Sequence, residues 1–300
     1  MVGGRRRVRT PIVVLLLVSL LAACRGDAQP PTSQAAVGCR QEHRCVWVRF
    51  PFRDFVPQGM ALGPHDTAYL TGYQWKPRRG HRYCQVVEVD RTSGEVRAQS
   101  VLRACRHGGG AVLTGQGLWI TGPSRLWLLD PAAIGDTDPL LREWSVEQPI
   151  VASTLTANRD GLIMATFSTD EPGRTYRFAF DDLLAGGATM MVAQGQGRGR
   201  VVATSVRRSP ARVQGVTHHH GELYFASSSS YCGALTLPSG RRVALVPGAE
   251  GLGFDAAGDL WVVSESSAGP YRRAGDRPRT PTLTRLDPAE LRSEPACAWD

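Results

Sequence analysis

Residues 248–265 set one pattern: a short apolar segment opened by Gly248, a reversal at Asp255-Ala256-Ala257-Gly258, and an aromatic and β-branched run through Leu260, Trp261, Val262 and Val263. Two such runs around a turn read as paired antiparallel strands. The same order of parts returns at Gln58-Gly59-Met60-Ala61-Leu62 before Ala68-Tyr69-Leu70-Thr71, and at Gln214-Gly215-Val216-Thr217 before Leu223-Tyr224-Phe225-Ala226. Looser copies run from Gly110 to Leu113 before Gly117 to Ile120, and from Ser153 to Thr156 before Gly161 to Ala165. Copies spaced by roughly 40 to 60 residues in a strand-rich chain are the mark of a β-propeller, in which one repeat is one four-stranded blade. The fold expected is therefore all-β, a single β-propeller of five blades of four antiparallel strands. The gap between the third and fourth copies is the longest and has room for a sixth.

Both ends of the chain bear on how such a ring closes. Cys45-Val46-Trp47-Val48-Arg49-Phe50 alternates as a strand before the first repeat, while the fifth repeat supplies strands near 251–254, 259–264 and 282–287 and then runs out. A propeller that completes its last blade with a strand from the opposite terminus leaves no exposed edge, so 45–50 is expected to be that strand. Ahead of it, an Arg-rich start, an apolar run from Ile12 to Leu21 and small residues before Cys24 have the layout of a secretory signal. The run is too short to span a bilayer permanently. Leu21-Ala22-Ala23-Cys24 resembles the bacterial lipobox, which implies a diacylglycerol, and with it palmitate-type acyl chains, on Cys24 and an anchor on the extracytoplasmic face of the cell membrane. An ordinary signal peptide cut nearby is the competing reading. The expected domains are thus a signal peptide over 1–23, a lipidated cysteine and flexible tether over 24–44, and the propeller over 45–300.

An exported chain bears on the cysteines too. Beyond Cys24 there are six: Cys39, Cys45, Cys84, Cys105, Cys232 and Cys297. An even number in an oxidising compartment suggests disulfides, and none of the spacings suits zinc. Cys84 and Cys105 flank the hairpin Gln85 to Leu102 almost symmetrically and are the first expected pair. Cys45 with Cys297 would lock the seam between the termini; Cys39 with Cys45 is the competing local loop. The formal charge of +8 falls to about +4 once Arg5, Arg6, Arg7 and Arg9 leave with the signal. The remaining arginines form no stripe, so nucleic acid is not an expected partner. A monomer is expected.

The starts of the innermost strands converge at one mouth of a propeller, and binding groups gather there. Aligning the repeats puts Gln58, Gly109, Ala152, Gln214 and Glu250 in a ring just before the repeat glycines. On the residues Gln58-Gly59, Gln214-Gly215 and Glu250-Gly251 with the strand pairs that follow, the chain resembles the secreted propellers of the NHL type and the regucalcin and gluconolactonase group of calcium-dependent lactonases. That resemblance implies a divalent cation, calcium or another, held by acidic and amide side chains and polarising a substrate carbonyl; Glu250 matches such a position, with Gln58 and Gln214 beside it. The departure is that a hard cation wants several oxygen ligands and only Glu250 is placed with assurance. The Gln-Gly starts are also similar to glutamine cyclotransferases, whose lysine this chain has only as Lys76 in a loop.

Further candidates lie around that mouth. Glu265 ends the second strand of its repeat and faces either the mouth or solvent. His107 precedes Gly108-Gly109-Gly110 and can shuttle a proton, and Trp75 sits in an aromatic and basic loop. His218-His219-His220 falls where other repeats turn, and alternation lets only His218 and His220 share a face. Gly195-Gln196-Gly197-Arg198-Gly199-Arg200 is followed by no helical pattern and reads as a surface loop, while Trp119, Trp127 and Trp261 read as core. No catalytic residue is assigned. The function expected is a lipid-anchored module that binds a small molecule or protein without turnover and without a required cofactor; the alternative is a metal-assisted lactonase or esterase.

Overall fold

Alternation of apolar and polar residues sorts most of this chain into strands that pair with their sequence neighbours. The computed structural model describes residues 44–51, 54–75, 83–103, 105–136, 138–229, 232–271, 280–289 and 291. The chain separates into two units, Met1–Pro30 and Pro31–Asp300, and every described residue belongs to the second. The signal, Cys24, the tether up to residue 43, Cys39, Lys76 and Cys297 lie outside the described residues.

In chain order, β1 is Cys45–Val46, and β2 (Phe55–Leu62), β3 (Thr67–Gln74), β4 (Cys84–Asp90) and β5 (Val96–Leu102) form the first four-stranded antiparallel sheet. The second sheet begins with β6 (Gly110–Thr114), β7 (Gly117–Gly122), β8 (Arg125–Leu129) and β9 (Leu140–Val146). Then come β10 (Ala152–Asn158), β11 (Gly161–Thr166) and β12 (Arg174–Ala179), followed by a short helix α1 (Phe180–Leu184). The chain next places β13 (Met190–Val192) and β14 (Arg200–Val202) parallel to β9 at the edge of the second sheet, and returns with β15 (Ser205–Arg208) to complete the third. The fourth sheet is β16 (Val213–His219), β17 (Glu222–Ser229), β18 (Cys232–Thr236) and β19 (Arg242–Leu245). The fifth is β20 (Ala249–Phe254), β21 (Leu260–Ser264), β22 (Leu283–Leu286) and β1.

The architecture is all-β and propeller-like, and the expected repeats are the first two strands of each sheet. Two expectations need correction. The gap between the third and fourth repeats holds no sixth sheet among the described residues: 190–192 and 200–202 are too short to make one and instead add two parallel strands to the second sheet, which therefore has six strands and is not purely antiparallel. The N-terminal strand expected over 45–50 is only Cys45–Val46, with Cys45 opposite Thr284 and Val46 opposite Leu283.

The first strands of successive sheets lie against one another, β2 on β6, β6 on β10, β10 on β16, β16 on β20, and β20 on β2. Backbones approach closely there. A Cβ on Gly215 would fall on the Glu250 carbonyl oxygen, and one on Gly251 would stand 2.5 Å from the Met60 nitrogen, which is why glycine recurs at this place. Where β10 meets β16, the His218 N–H donates to Thr156 Oγ1 at 3.1 Å. The core lies between sheets. Trp119 and Trp144 stack at 5.3 Å in one cluster, Trp127 packs in a second and Trp261 in a third beside Val46 and Leu283. Each such buried aromatic or aliphatic side chain contributes about 1.5–3 kcal/mol by leaving water. Cys84 and Cys105 are bonded, with their Cα atoms 4.9 Å apart. Cys45 and Cys232 are also in disulfides. No helix among the described residues is long and apolar enough to cross a membrane.

Candidate functional site

Four of the five first strands carry a β-bulge at one place. Pro57 pairs with Gly72 and Gly59 with Thr71, leaving Gln58 as the extra residue; Val213 pairs with Ser227 and Gly215 with Ala226, leaving Gln214. Ala249 pairs with Ser264 and Leu252 with Val262, so Glu250 and Gly251 share one opposing residue. In the third sheet Ala152 pairs with Thr166 and Thr154 with Ala165, so the extra residue is Ser153, not the expected Ala152. The second sheet has none, since β6 starts at Gly110 opposite Thr121, one residue after Gly109. A bulge turns its side chain out of the regular alternation, so the Gln-Gly and Glu-Gly dipeptides mark where the sheets aim polar groups away from the sheet faces.

Two of those side chains, Gln58 and Glu250, neighbour the buried Glu265. Gln58 Nε2 donates to Glu265 Oε2 at 2.9 Å and to its neighbour's carbonyl, Pro57 O, at 3.2 Å. Glu265 opens a three-residue 3-10 turn, Glu265–Ser267, directly after β21, and its N–H donates to Gly248 O at 2.9 Å. Glu265 is thus buried, 8% exposed, rather than turned to solvent. Ser264 holds the turn: its Oγ donates to Pro247 O at 2.6 Å and accepts the Ser266 N–H at 3.1 Å. Glu250 is 2% exposed and its Oε1 has no hydrogen-bond partner. Burial first, and the neighbouring Glu265 second, hold the Glu250 carboxyl well above the usual carboxylate range, so it is neutral where ordinary glutamates are charged. Gln214 is half-buried at the equivalent place of the fourth sheet.

The other candidates gather on Tyr73, at the end of β3. His107 stacks on its ring at 5.3 Å, Trp75 lies at 6.4 Å, and the Tyr73 and Tyr271 hydroxyls are 2.9 Å apart. The His107 loop is fixed by Thr71 Oγ1, which donates to Gly108 O at 3.0 Å. Tyr73 and Tyr271 escaped the sequence reading, because Tyr73 reads as one more strand aromatic and Tyr271 follows Gly269-Pro270 outside any repeat. Ser153 was missed by a one-residue slip.

The histidine triplet stands apart. His218 and His219 are in β16 and only His220 is in the turn, with φ 50°. His219 stacks on Phe254 of the fifth sheet at 4.0 Å. Burial first lowers both His218 and His219; Arg177 adds to this at His218 against Glu222, and His220 and His218 add to it at His219. Among the described residues no group of three or more His, Cys, Asp or Glu is placed to hold a metal ion. A calcium ion takes six to eight oxygens. Glu250, Glu265 and Gln58 fall short of that, and the donor set does not fit the cation that the lactonase resemblance implies. A groove of about 800 Å³ along Trp47, Arg49, Glu95 and Arg97 contains none of these residues.

No protein-family model matches the chain, and no curated protein matches it. Among solved structures it is similar to a putative oxidoreductase (glucose dehydrogenase) from Thermus thermophilus, at 15% identity over 80% of this chain and 85% of that one, with a TM-score of 0.42. A protein of unknown function from Bacteroides caccae gives 14% identity over 80% and 84%, with a TM-score of 0.41. BamB from Moraxella catarrhalis gives 14% over 70% of this chain and 62% of that one, with a TM-score of 0.32. Likeness at this level assigns no activity to this chain.

Proposed function

We propose that this chain is a lipid-anchored, extracytoplasmic β-propeller of five blades that binds a small molecule or a protein where its inner strands begin, without turning it over. The observation that carries this reading is the buried trio Gln58, Glu250 and Glu265, in which one carboxyl oxygen has no hydrogen-bond partner. An unsatisfied buried polar atom costs about 1–3 kcal/mol, so stability alone does not account for keeping it there. The five-bladed, closed ring is supported by the unbroken succession of contacts from β2 round to β20 and by the pairing of β1 with β22. The anchor is supported by the apolar run before Leu21-Ala22-Ala23-Cys24. The chain acts as a monomer in this reading.

Two measurements test it. Growth with a labelled fatty acid is expected to mark the wild-type chain and leave Cys24→Ser unmarked and released from the membrane fraction; equal labelling of both removes the anchor. A thermal-shift screen of metabolites is expected to find ligands that stabilise the wild type and not Glu265→Gln. Hydrolysis of a lactone or of p-nitrophenyl acetate that disappears in Glu250→Gln would replace the binding module with the hydrolase.

A further inference from the structure

Away from the mouth, we infer that the groove between the N-terminal segment and the edge of the first sheet binds a neutral oligosaccharide, one sugar of which stacks on Trp47. One wall is the chain over 46–50. Val46, Val48 and Phe50 pack inward on the cluster shared by the first and fifth sheets, while Trp47 and Arg49 between them are exposed. The other wall is β5, the edge strand of the first sheet, with Glu95 just before it and Arg97 and Gln99 exposed along it. All five exposed residues line one open groove of about 800 Å³. That is within the range of about 300–1,000 Å³ seen for small-molecule sites. Both walls are held in place. Asp90 Oδ1 accepts the Thr92 and Ser93 N–H groups, each at 2.9 Å, and the Thr92 hydroxyl at 2.6 Å, which fixes the turn that lines the groove. Gly94 in that turn has φ 76°, and a Cβ on it would stand 2.6 Å from Trp47 O, so only glycine lets the two walls meet there. On the other side, the Val48 N–H donates to Thr282 Oγ1 at 3.3 Å.

The chemistry of the walls selects the ligand. Trp47 is 46% exposed, and the electron-rich face of an indole attracts the polarised C–H groups on the flat face of a pyranose ring. Among the described residues, the side chains of Arg49, Glu95 and Gln99 make no hydrogen bond or ion pair. They therefore offer a ligand a guanidinium that only donates, a carboxylate that only accepts and an amide that does both. Charge is balanced across the groove. Arg97 is paired with Asp90, which leaves one basic residue, Arg49, and one acidic residue, Glu95. A phosphate meets repulsion from Glu95, and an amine meets it from Arg49. A sugar hydroxyl suits both, because it donates to the carboxylate and accepts from the guanidinium.

The test is calorimetric titration of the full chain, in micelles of a detergent that carries no sugar, with cellotetraose, maltotetraose, mannotetraose and tetra-N-acetylchitotetraose. At least one is expected to bind, with an affinity that changes less than about twofold between low and high salt, because the ligand has no charge to screen. Trp47→Ala is expected to weaken that binding at least about tenfold, and Trp47→Phe, which keeps an aromatic face, by less. Arg49→Ala and Glu95→Ala are each expected to weaken it about tenfold, and Glu95→Ala tests the groove from the wall that does not bear Trp47. A thermal melt of each variant confirms that it is folded. Glu265→Gln is expected to leave the binding unchanged, which separates this groove from the mouth. Binding of none of the four sugars, or binding that survives both Trp47→Ala and Glu95→Ala, overturns the inference. Trp47-dependent binding of an extended peptide of alternating valine and threonine, with no sugar bound, also overturns it and makes the edge of β5 a strand-pairing site.

Discussion

At the scale of single residues, Glu250 is an uncomfortable group, a buried carboxyl with one oxygen that no hydrogen bond satisfies. Water solvates its carboxyl in the unfolded chain, while the folded chain surrounds it with backbone and with Glu265. Its folded pKa is raised, so the folded state holds the proton more tightly and is favoured by it in acid. That advantage fades as pH rises past the ordinary value of 4.5 and is gone once Glu250 ionises in the fold. Glu250→Gln has no proton to lose. Its stability relative to the wild type should therefore grow between pH 5 and 8, by at most about 1.4 kcal/mol per pH unit, in urea midpoints measured at each pH. A difference that stays flat with pH would show that Glu250 is not desolvated. Its place in the strand was legible in advance, because a polar residue before a repeat glycine stands out: Gly251 can carry no Cβ against the Met60 nitrogen, and Glu250 before it falls in the bulge. The Tyr73 and Tyr271 pairing was not legible, since those hydroxyls meet across 198 residues of chain and no local pattern announces them.

At the scale of elements, the hairpins followed from apolar runs and turns, and the errors came from strands that pair with something other than their neighbour. Met190–Val192 and Arg200–Val202 lie in the long gap where the sequence left room for a sixth blade. Nothing in three residues states a direction of pairing, and the edge of β9 was available to them. The hairpin β4–β5 is the opposite case, with its disulfide readable from two cysteines placed symmetrically about it. That bond encloses 21 residues of separation, so on chain entropy it is worth about 3 kcal/mol. The double variant Cys84→Ala, Cys105→Ala should lose about that much in a guanidinium titration. A loss below about 1 kcal/mol would mean that the bond constrains little the unfolded chain does not already avoid. The variant should also loosen His107, because the loop carrying it starts at Cys105, and Gly108 packs against Cys84 Sγ and Gly72.

At the scale of the whole propeller unit, most contacts join segments far apart in sequence, and if the proposed ring is closed, closure is the step that decides cooperativity. Only two residues of the N-terminal strand pair, yet Val46 lies in the cluster with Leu283, Trp261 and Val263 of the fifth sheet and Phe55, Met60 and Leu70 of the first. It is 4% exposed and joins the fifth sheet to the first through packing, while its strand pairs with β22. Val46→Ala removes two methyl groups there and should cost about 1–2.5 kcal/mol, part transfer and part cavity. In a closed ring that loss is shared. Hydrogen exchange should show β2, β6, β10, β16 and β20 losing protection by the same amount, because each leans on the next, while β14 at the edge of the second sheet exchanges faster throughout by local opening. If β20 to β22 lost protection while β6 and β10 kept theirs, the sheets would be stacking as independent neighbours, as in an open solenoid. The shared mouth would then have no fixed geometry, because Gln58 and Glu265 would belong to parts that open separately.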